Sequence, residues 1–254
     1  MNPVLETIHS RTSLRRYKDT AIRDDDLQTI LDATLRAPTA GNMMLYSILT
    51  IKDQAVKITL SKTCDNQPFI ARAPLVLVFL ADYQRWFDYY RLSDVEDLRE
   101  PDVGDLLLAI DDALIAAQTA VLAAESLGIG TCYIGDIMEN YEAHRELLGL
   151  PDYVFPAAML TLGYYPDNYE PKFRNRYDQE YIVHNEKYRH LNDAELKAMF
   201  ASLEKEFSPN NKFGAKNMGQ FTYARKTGSE FAREMSRSIR AALENWQGRQ
   251  AEKQ

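Results

Sequence analysis

Cysteine is scarce in this chain: there are two, Cys64 and Cys132, and neither lies in a Cys-x-x-Cys pair. That pattern supplies neither a disulfide framework nor a zinc site. Histidine is nearly as rare, and His9, His144, His184 and His190 lack metal-ligand spacing. Positive charge is also in deficit. The formal net charge of −7 excludes a general nucleic-acid binder, which needs a basic surface to displace counterions. Long hydrophobic runs are missing too. Pro74 to Ala81 is far too short to cross a membrane, and Leu106 to Ala124 is interrupted by Asp111, Asp112 and Gln118. Met1 to Ser10 has no signal-peptide centre, and no Asn-x-Ser/Thr sequon occurs. The expectation is a cytoplasmic protein with no membrane and no nucleic-acid partner.

Several catalytic signatures are absent as well. There is no Gly-x-Gly-x-x-Gly turn, no Gly-x-x-x-x-Gly-Lys-Ser/Thr loop and no Gly-x-Ser-x-Gly elbow. A Rossmann dehydrogenase, a P-loop enzyme, a serine hydrolase of that fold and a zincin are each disfavoured. Any chemistry is then expected to come from a borrowed cofactor.

What is present suits a globular fold of 254 residues, 45% of them apolar. Three segments read as strands: Ser47 to Lys52, Leu75 to Ala81 and Ala157 to Leu162. Asp25 and Gln28 read as a capping pair for a helix stopping near Pro38. A long helix is expected from about Asp105 to Leu127, with Ile110, Ala113, Leu114, Ala117, Val121 and Ala124 on one stripe and Gly128 as its C-cap glycine. Another runs from about Tyr141 to Leu148. Asn192 with Glu195 caps a helix through about Phe207, and Thr227 with Glu230 caps a last one through about Trp246. The tail reads either as arms on a neighbour or as a helical hairpin on its own core. The class is α+β, a mostly antiparallel sheet inside helices. Residues 1–190 form the expected core, and 191–254 a helical C-terminal arm of the same domain.

Four segments carry possible chemistry. Arg11, Thr12, Ser13, Leu14, Arg15, Arg16 and Tyr17 bring guanidinium forks and hydroxyls together, a donor set matched to phosphate. If the segment is extended, Arg11, Ser13 and Arg15 share a side. Ala37 to Met44 is a small-residue loop in which Thr39 and Asn42 offer hydrogen bonds and Gly41 lets backbone approach a flat ligand. Gly128 to Asp136 runs from a helix end into a short strand and Gly135. Pro171-Lys172-Phe173-Arg174 is a second basic cluster. Each alone suits an ordinary turn, loop or charged surface better.

In order, these segments resemble the flavin-dependent nitroreductase family, in its oxygen-insensitive nitroreductase and NADPH–flavin oxidoreductase branch. Arg-Thr-Ser-Leu-Arg-Arg-Tyr, Ala-Pro-Thr-Ala-Gly-Asn, Ala-Ala-Glu-Ser-Leu-Gly-Ile-Gly-Thr-Cys-Tyr-Ile-Gly, Leu-Gly-Leu-Pro and Leu162-Gly163-Tyr164 carry the likeness, over roughly residues 5 to 190. The resemblance implies bound FMN, NADPH or NADH as electron donor, and a homodimer sharing its flavin sites. It implies a two-electron ping-pong cycle through flavin N5 to nitroaromatics, quinones or related small acceptors, with no catalytic side chain. Arg11, Thr12, Ser13, Arg15 and Arg174 would hold the phosphate and ribityl chain, with Lys172 near the phosphate or the N1/O2 end. Thr39, Gly41, Asn42 and Met44 would line the site from the partner subunit. Gln67 would meet the pyrimidine edge, and Tyr133, Ile134, Gly135 and Asp136 the isoalloxazine.

Departures from the family pattern are Met44 for a glutamine, Asp136 for a glycine and Arg11 for a histidine. Trp86 to Val103 reads as a variable lid, and Lys212, Lys216, Arg225 and Lys226 as cations for a nicotinamide 2′-phosphate. A non-catalytic flavin-binding regulator, or a reductive dehalogenase or ene-reductase on the same fold, stays open.

Overall fold

The β-branched and aromatic segments pair into one antiparallel sheet. In the computed structural model, which describes residues 1–247, its strands are β1 (Tyr46–Ile51), β2 (Leu75–Asp82), β3 (Ile129–Ile134) and β4 (Val154–Tyr164), in spatial order β1-β2-β4-β3. Every residue of β2 is buried, as its unbroken apolar sequence requires. Its alternate side chains feed two cores. Leu75, Leu77, Phe79 and Ala81 face one, and Val76, Val78 and Leu80 the other. The β2–β4 register shifts between Phe79 and Leu80, where Pro156 stands opposite Leu80. Proline has no N–H for the ladder, so a bulge falls there, beyond the last β3–β4 pair at Met159.

The described residues form ten α-helices: α1 (Pro3–Ser10), α2 (Asp24–Thr34), α3 (Gln54–Thr63), α4 (Pro68–Arg72), α5 (Gln84–Leu92), α6 (Val103–Ser126), α7 (Tyr141–Leu148), α8 (Asp193–Lys205), α9 (Met218–Arg225) and α10 (Glu230–Trp246). The α6 helix is the spine. Asp102 and Asp105 form its capping box, and Gly128, at φ +74°, follows its end. Leu106, Ala109, Ala113, Ala116, Ala117, Ala120, Val121 and Ala124 pack into the first core. Leu114 does not share that stripe. With Leu107, Leu108 and Ile115 it is exposed on the opposite side, so the helix has two apolar faces. By length and composition alone it also suits a membrane span, but its buried face belongs to the protein core.

Several local expectations shift. At the start of α2 the N-cap position is Arg23, whose guanidinium has no acceptor for a cap bond and pairs with Asp26, while Gln28 bonds Asp32 instead of capping. The α8 helix has the expected Asn192–Glu195 box and ends at Lys205. Near the start of α10 the Ser229 hydroxyl, rather than Thr227, accepts the Ala232 amide. Part of the expected lid, from Trp86, is the amphipathic helix α5.

The chain divides into two compact units. One comprises residues 1–171 and the chain from Glu234 onward, and the other Lys172–Arg233. In the first, the final helix sits on its own core: Ser238, Ala242 and Trp246, four residues apart, are buried. In the second, Ala215 is buried while Phe173, Tyr177, Ile182, Val183 and Tyr188 are exposed. Edge-on ring pairs, Tyr177 with Phe200 and Phe213 with Phe221, supply its aromatic packing.

Candidate functional site

Residues 11 to 17 follow α1 as an extended segment anchored by alternate side chains. Thr12 and Leu14 are buried, whereas Ser13 and Arg15 are exposed. The Leu14 amide donates to the Thr131 carbonyl on β3 at 2.8 Å, and the Lys18 amide to the Tyr164 carbonyl at 2.9 Å. Two glycines admit this segment. A Cβ on Gly130 would lie 2.6 Å from Leu14, and one on Gly163 2.6 Å from the Tyr17 ring. The Tyr17 hydroxyl donates to Thr161 at 2.7 Å. Thr12 bonds the Tyr169 hydroxyl.

The cations divide unevenly. Arg15 lies over the Phe69 ring, 5.7 Å from its centroid. Burial pushes the Cys132 thiol up, and Arg15, Ser13 and Arg11 beside it act the other way. Arg11 turns inward, its Nε 3.8 Å from Glu125. That carboxylate also accepts from the Thr131 amide, the Thr131 hydroxyl and the Tyr165 hydroxyl. Burial and then Glu125 push Tyr165 up, so it stays a donor. Ser13 and Arg15 are thus exposed donors near Cys132, Arg16 is exposed beside them and reaches Asn168, and Arg11 spends part of its charge on Glu125.

The loop after α2 is organised by one carboxylate. Asp112, buried on α6, accepts from the Thr39 hydroxyl, the Ala40 amide at 2.9 Å and the Leu45 amide at 3.0 Å. The Thr39 hydroxyl also accepts the Met44 amide at 2.8 Å. Its hydrogen and one lone pair are therefore already used in shaping the loop. Gly41, Asn42 and Met44 all have left-handed backbone, at φ 56°, 58° and 50°. Trp86 Nε1 donates to the Met43 carbonyl, and Arg85 to those of Met44 and Tyr46. These contacts make α5 a brace for the loop.

Strand β3 is an edge strand and carries the third group. Tyr133 is 36% exposed and Ile134 is buried. Burial pushes the Tyr133 hydroxyl up to about 12, keeping it neutral. Gly135 and Asp136 open a 3₁₀ turn, Gly135–Met138. The nearest atom to a Cβ on Gly135 would be Met138 Cε at 4.0 Å, so its backbone is approachable. Gln67 is the N-cap residue of α4, and its amide nitrogen donates to the Cys64 carbonyl at 3.0 Å. Its carbonyl oxygen has no such bond among the described residues. Asp136 lies near Cys64: burial first, then that carboxylate, pushes the Cys64 thiol up.

Lys172 and Arg174 belong to the second unit. Both are exposed there, and the Arg174 carbonyl accepts from Arg176. Within the first unit the structure brings Arg11, Ser13 and Arg15 beside Cys132, and ties Gln67 and Gly135–Asp136 to neighbouring turns.

Sequence reasoning missed Asp112, Glu125 and His144. The first two had a signal: they are carboxylates on an otherwise apolar helix, and Asp112 sits beside the core stripe of Ala109, Ala113 and Ala116. A buried carboxylate must be supplied with donors, so each marks a loop it holds. Among the described residues no His, Cys, Asp and Glu cluster could hold a metal.

Comparison with known proteins agrees with this architecture. The Nitroreductase family matches residues 8–164. A Bacillus subtilis FMN reductase [NAD(P)H] is 35% identical over 211 residues, 82% of each chain. The oxygen-insensitive NADPH nitroreductase of Salmonella typhimurium is 33% identical over 193 residues, 76% of this chain and 78% of that one. The solved structure of B. megaterium NfrA2 superposes with a TM-score of 0.82 at 32% identity, covering 98% of both chains. Motif order, an antiparallel sheet wrapped by helices, and matches across most of the chain lead to one assignment: the chain belongs to the nitroreductase family.

Proposed function

We propose that this protein is an FMN-dependent NAD(P)H oxidoreductase that reduces small acceptors such as nitroaromatics and quinones. The observation that carries the reading is the layout of β3. Ser13 and Arg15 gather at Cys132, and a bare, approachable backbone follows at Gly135. Three residues along a strand span about 10 Å, which suits a ligand with an anion at one end and a flat ring at the other. The names of the relatives, an FMN reductase [NAD(P)H] and an NADPH nitroreductase, support FMN and the nicotinamide donor.

In this reading Arg15 and Ser13 bind the FMN phosphate by charge-assisted bonds. Thr12 fixes the segment from behind. The Gln67 carbonyl oxygen faces the pyrimidine edge, and the Gly135 amide the ring. Tyr133 and Ile134 set the strand's approach, and Asp136 stays directed toward Cys64. FMN itself supplies the two-electron hydride chemistry. The chain's residues orient it, so donor and acceptor take turns in one place.

The homodimer is part of the proposal. Helix α6 exposes Leu107, Leu108, Leu114 and Ile115, and α1 exposes Val4, Leu5 and Ile8 with no residue buried. Apolar faces of this kind mark interaction surfaces. Thr39, Gly41, Asn42 and Met44 would then reach the ring across the interface. Two free, buried cysteines fit a reducing cytoplasm.

The test is direct. Purified protein mixed with FMN and desalted is expected to stay yellow and elute as a dimer. Under anaerobic NADPH or NADH it is expected to bleach, then recolour with a quinone or nitroaromatic. Protein that stays colourless overturns the reading; coloured protein that no nicotinamide bleaches leaves a flavin-binding regulator.

A further inference from the structure

The Gln67 loop is held in place by a buried histidine on another element. His144 on α7 is wholly buried. Its Nδ1 lies 2.8 Å from the Ile137 carbonyl and its Nε2 2.7 Å from the Thr63 hydroxyl. A carbonyl only accepts, so Nδ1 carries the hydrogen. In the neutral ring Nε2 then accepts from Thr63, whose competing acceptor, the Thr59 carbonyl, is farther away at 3.1 Å.

Each partner lies next to a segment assigned to the flavin. Ile137 lies within the turn Gly135–Met138. Thr63 ends α3 and leads through Cys64, Asp65 and Asn66 to Gln67. Asp65 and Asn66 both adopt left-handed backbone, at φ 58° and 49°. Such a turn persists only when its surroundings dictate it. Beyond the backbone bonds from Cys64 N–H to the Leu60 carbonyl and Asn66 N–H to the Lys62 carbonyl, it is held by Gln67 N–H to the Ser61 carbonyl, Gln67 Nε2 to the Cys64 carbonyl, and Asn140 Nδ2 to the Thr63 carbonyl. The far side is braced as well. The Ser238 hydroxyl donates to the Met138 carbonyl and accepts the Tyr141 amide, pinning the turn before α7 to α10.

We infer that His144 is a positioning residue: through Thr63 on one side and Ile137 on the other, it fixes the spacing between the Gln67 side chain and the Gly135 backbone that the flavin ring must fit. The inference rests on the FMN reading above. The imidazole touches no ligand and acts through the two turns it joins.

The experiment compares Thr→Val at two helical positions, Thr63 half-buried and Thr34 buried. Thr63→Val removes the hydroxyl that His144 accepts. Thr34→Val removes a buried hydroxyl bonded to the Ile30 carbonyl on α2, outside this network. FMN dissociation constants come from flavin fluorescence, and Tm values from the FMN-free proteins. Thr63→Val is expected to weaken FMN binding about tenfold, the size of one hydrogen bond. Thr34→Val should lower Tm comparably and leave FMN affinity unchanged. Thr63→Ser, which keeps the hydroxyl, should restore wild-type affinity. On a Gln67→Ala background, Thr63→Val should add little, since both act through one contact. Wild-type affinity in Thr63→Val, or full additivity with Gln67→Ala, overturns the inference and leaves the FMN reading standing. Absence of FMN binding in the wild-type protein overturns the FMN reading, and this inference with it.

Discussion

Two loops that serve the same proposed ligand are held by opposite means. Residues 12 to 17, beyond Arg11 and its Glu125 contact, are held chiefly by shape: Leu14 and Tyr17 fill spaces left by Gly130 and Gly163. The Thr39–Leu45 loop is held by charge, three donors converging on Asp112. Shape complementarity is spread over many weak contacts and gives way gradually. A charge hub fails at one atom, because its partners are left buried and unbonded. The first loop has alternating backbone that any sequence can adopt. The second has three left-handed residues that need such a hub.

The largest expected effect is therefore at the hub. Asp112→Ala should cost about 3–5 kcal/mol in urea unfolding, since charge-assisted bonds are lost and the buried Leu45 amide is stranded. A loss below about 1 kcal/mol would show that the loop does not depend on the carboxylate. Next comes Gly130→Ala. Its Cβ would sit 2.6 Å from Leu14 and 2.7 Å from Tyr165, and such overpacking costs about 1–3 kcal/mol. Gly104→Ala is its counterpart, with nothing within 4 Å, and on α6 it should be neutral or slightly stabilising. Equal effects at the two glycines would erase the distinction between a shape-held loop and an ordinary one.

The smallest effect belongs to the third support, His144, where a neutral hydrogen bond replaces both shape and charge. Burial holds its pKa below the ordinary 6.5, opposed by the Ile137 and Glu139 backbone. The unfolded chain then binds a proton that the folded chain refuses. Stability should fall as pH drops below 6.5 and level off beneath the folded pKa, with a slope of at most ~1.4 kcal/mol per unit. Urea unfolding from pH 7 to pH 5 measures this, and His144→Gln should flatten that part of the curve. An unchanged slope in the variant would assign the acid sensitivity elsewhere.

Much of the frame was legible because local signals agreed with the global fold. The apolar run at Leu75, the capping box at Asn192 and Gly128 each ended or began an element where expected. The missed parts share a cause: their meaning depends on residues distant in the chain. Leu114 fits a helical stripe by spacing, yet faces outward because α6 has apolar residues on both sides. Asp25 and Gln28 look like a cap, but Arg23 chooses Asp26. At the site, the segments were readable as motifs and their supports were not. Nothing near Thr39 in sequence announces Asp112, seventy-three positions away, and nothing near Gln67 announces His144.

Asp112 and Glu125 stand thirteen residues apart on α6, one anchoring the Thr39 loop and the other Arg11, Thr131 and Tyr165. At about 1.5 Å per residue the helix works as a ruler of about 20 Å between two clamps. Adding or removing a single residue between them would swing one clamp by about 100° relative to the other. Length along this stretch is thus not negotiable: its residue count is locked by two carboxylates that must meet their loops at once.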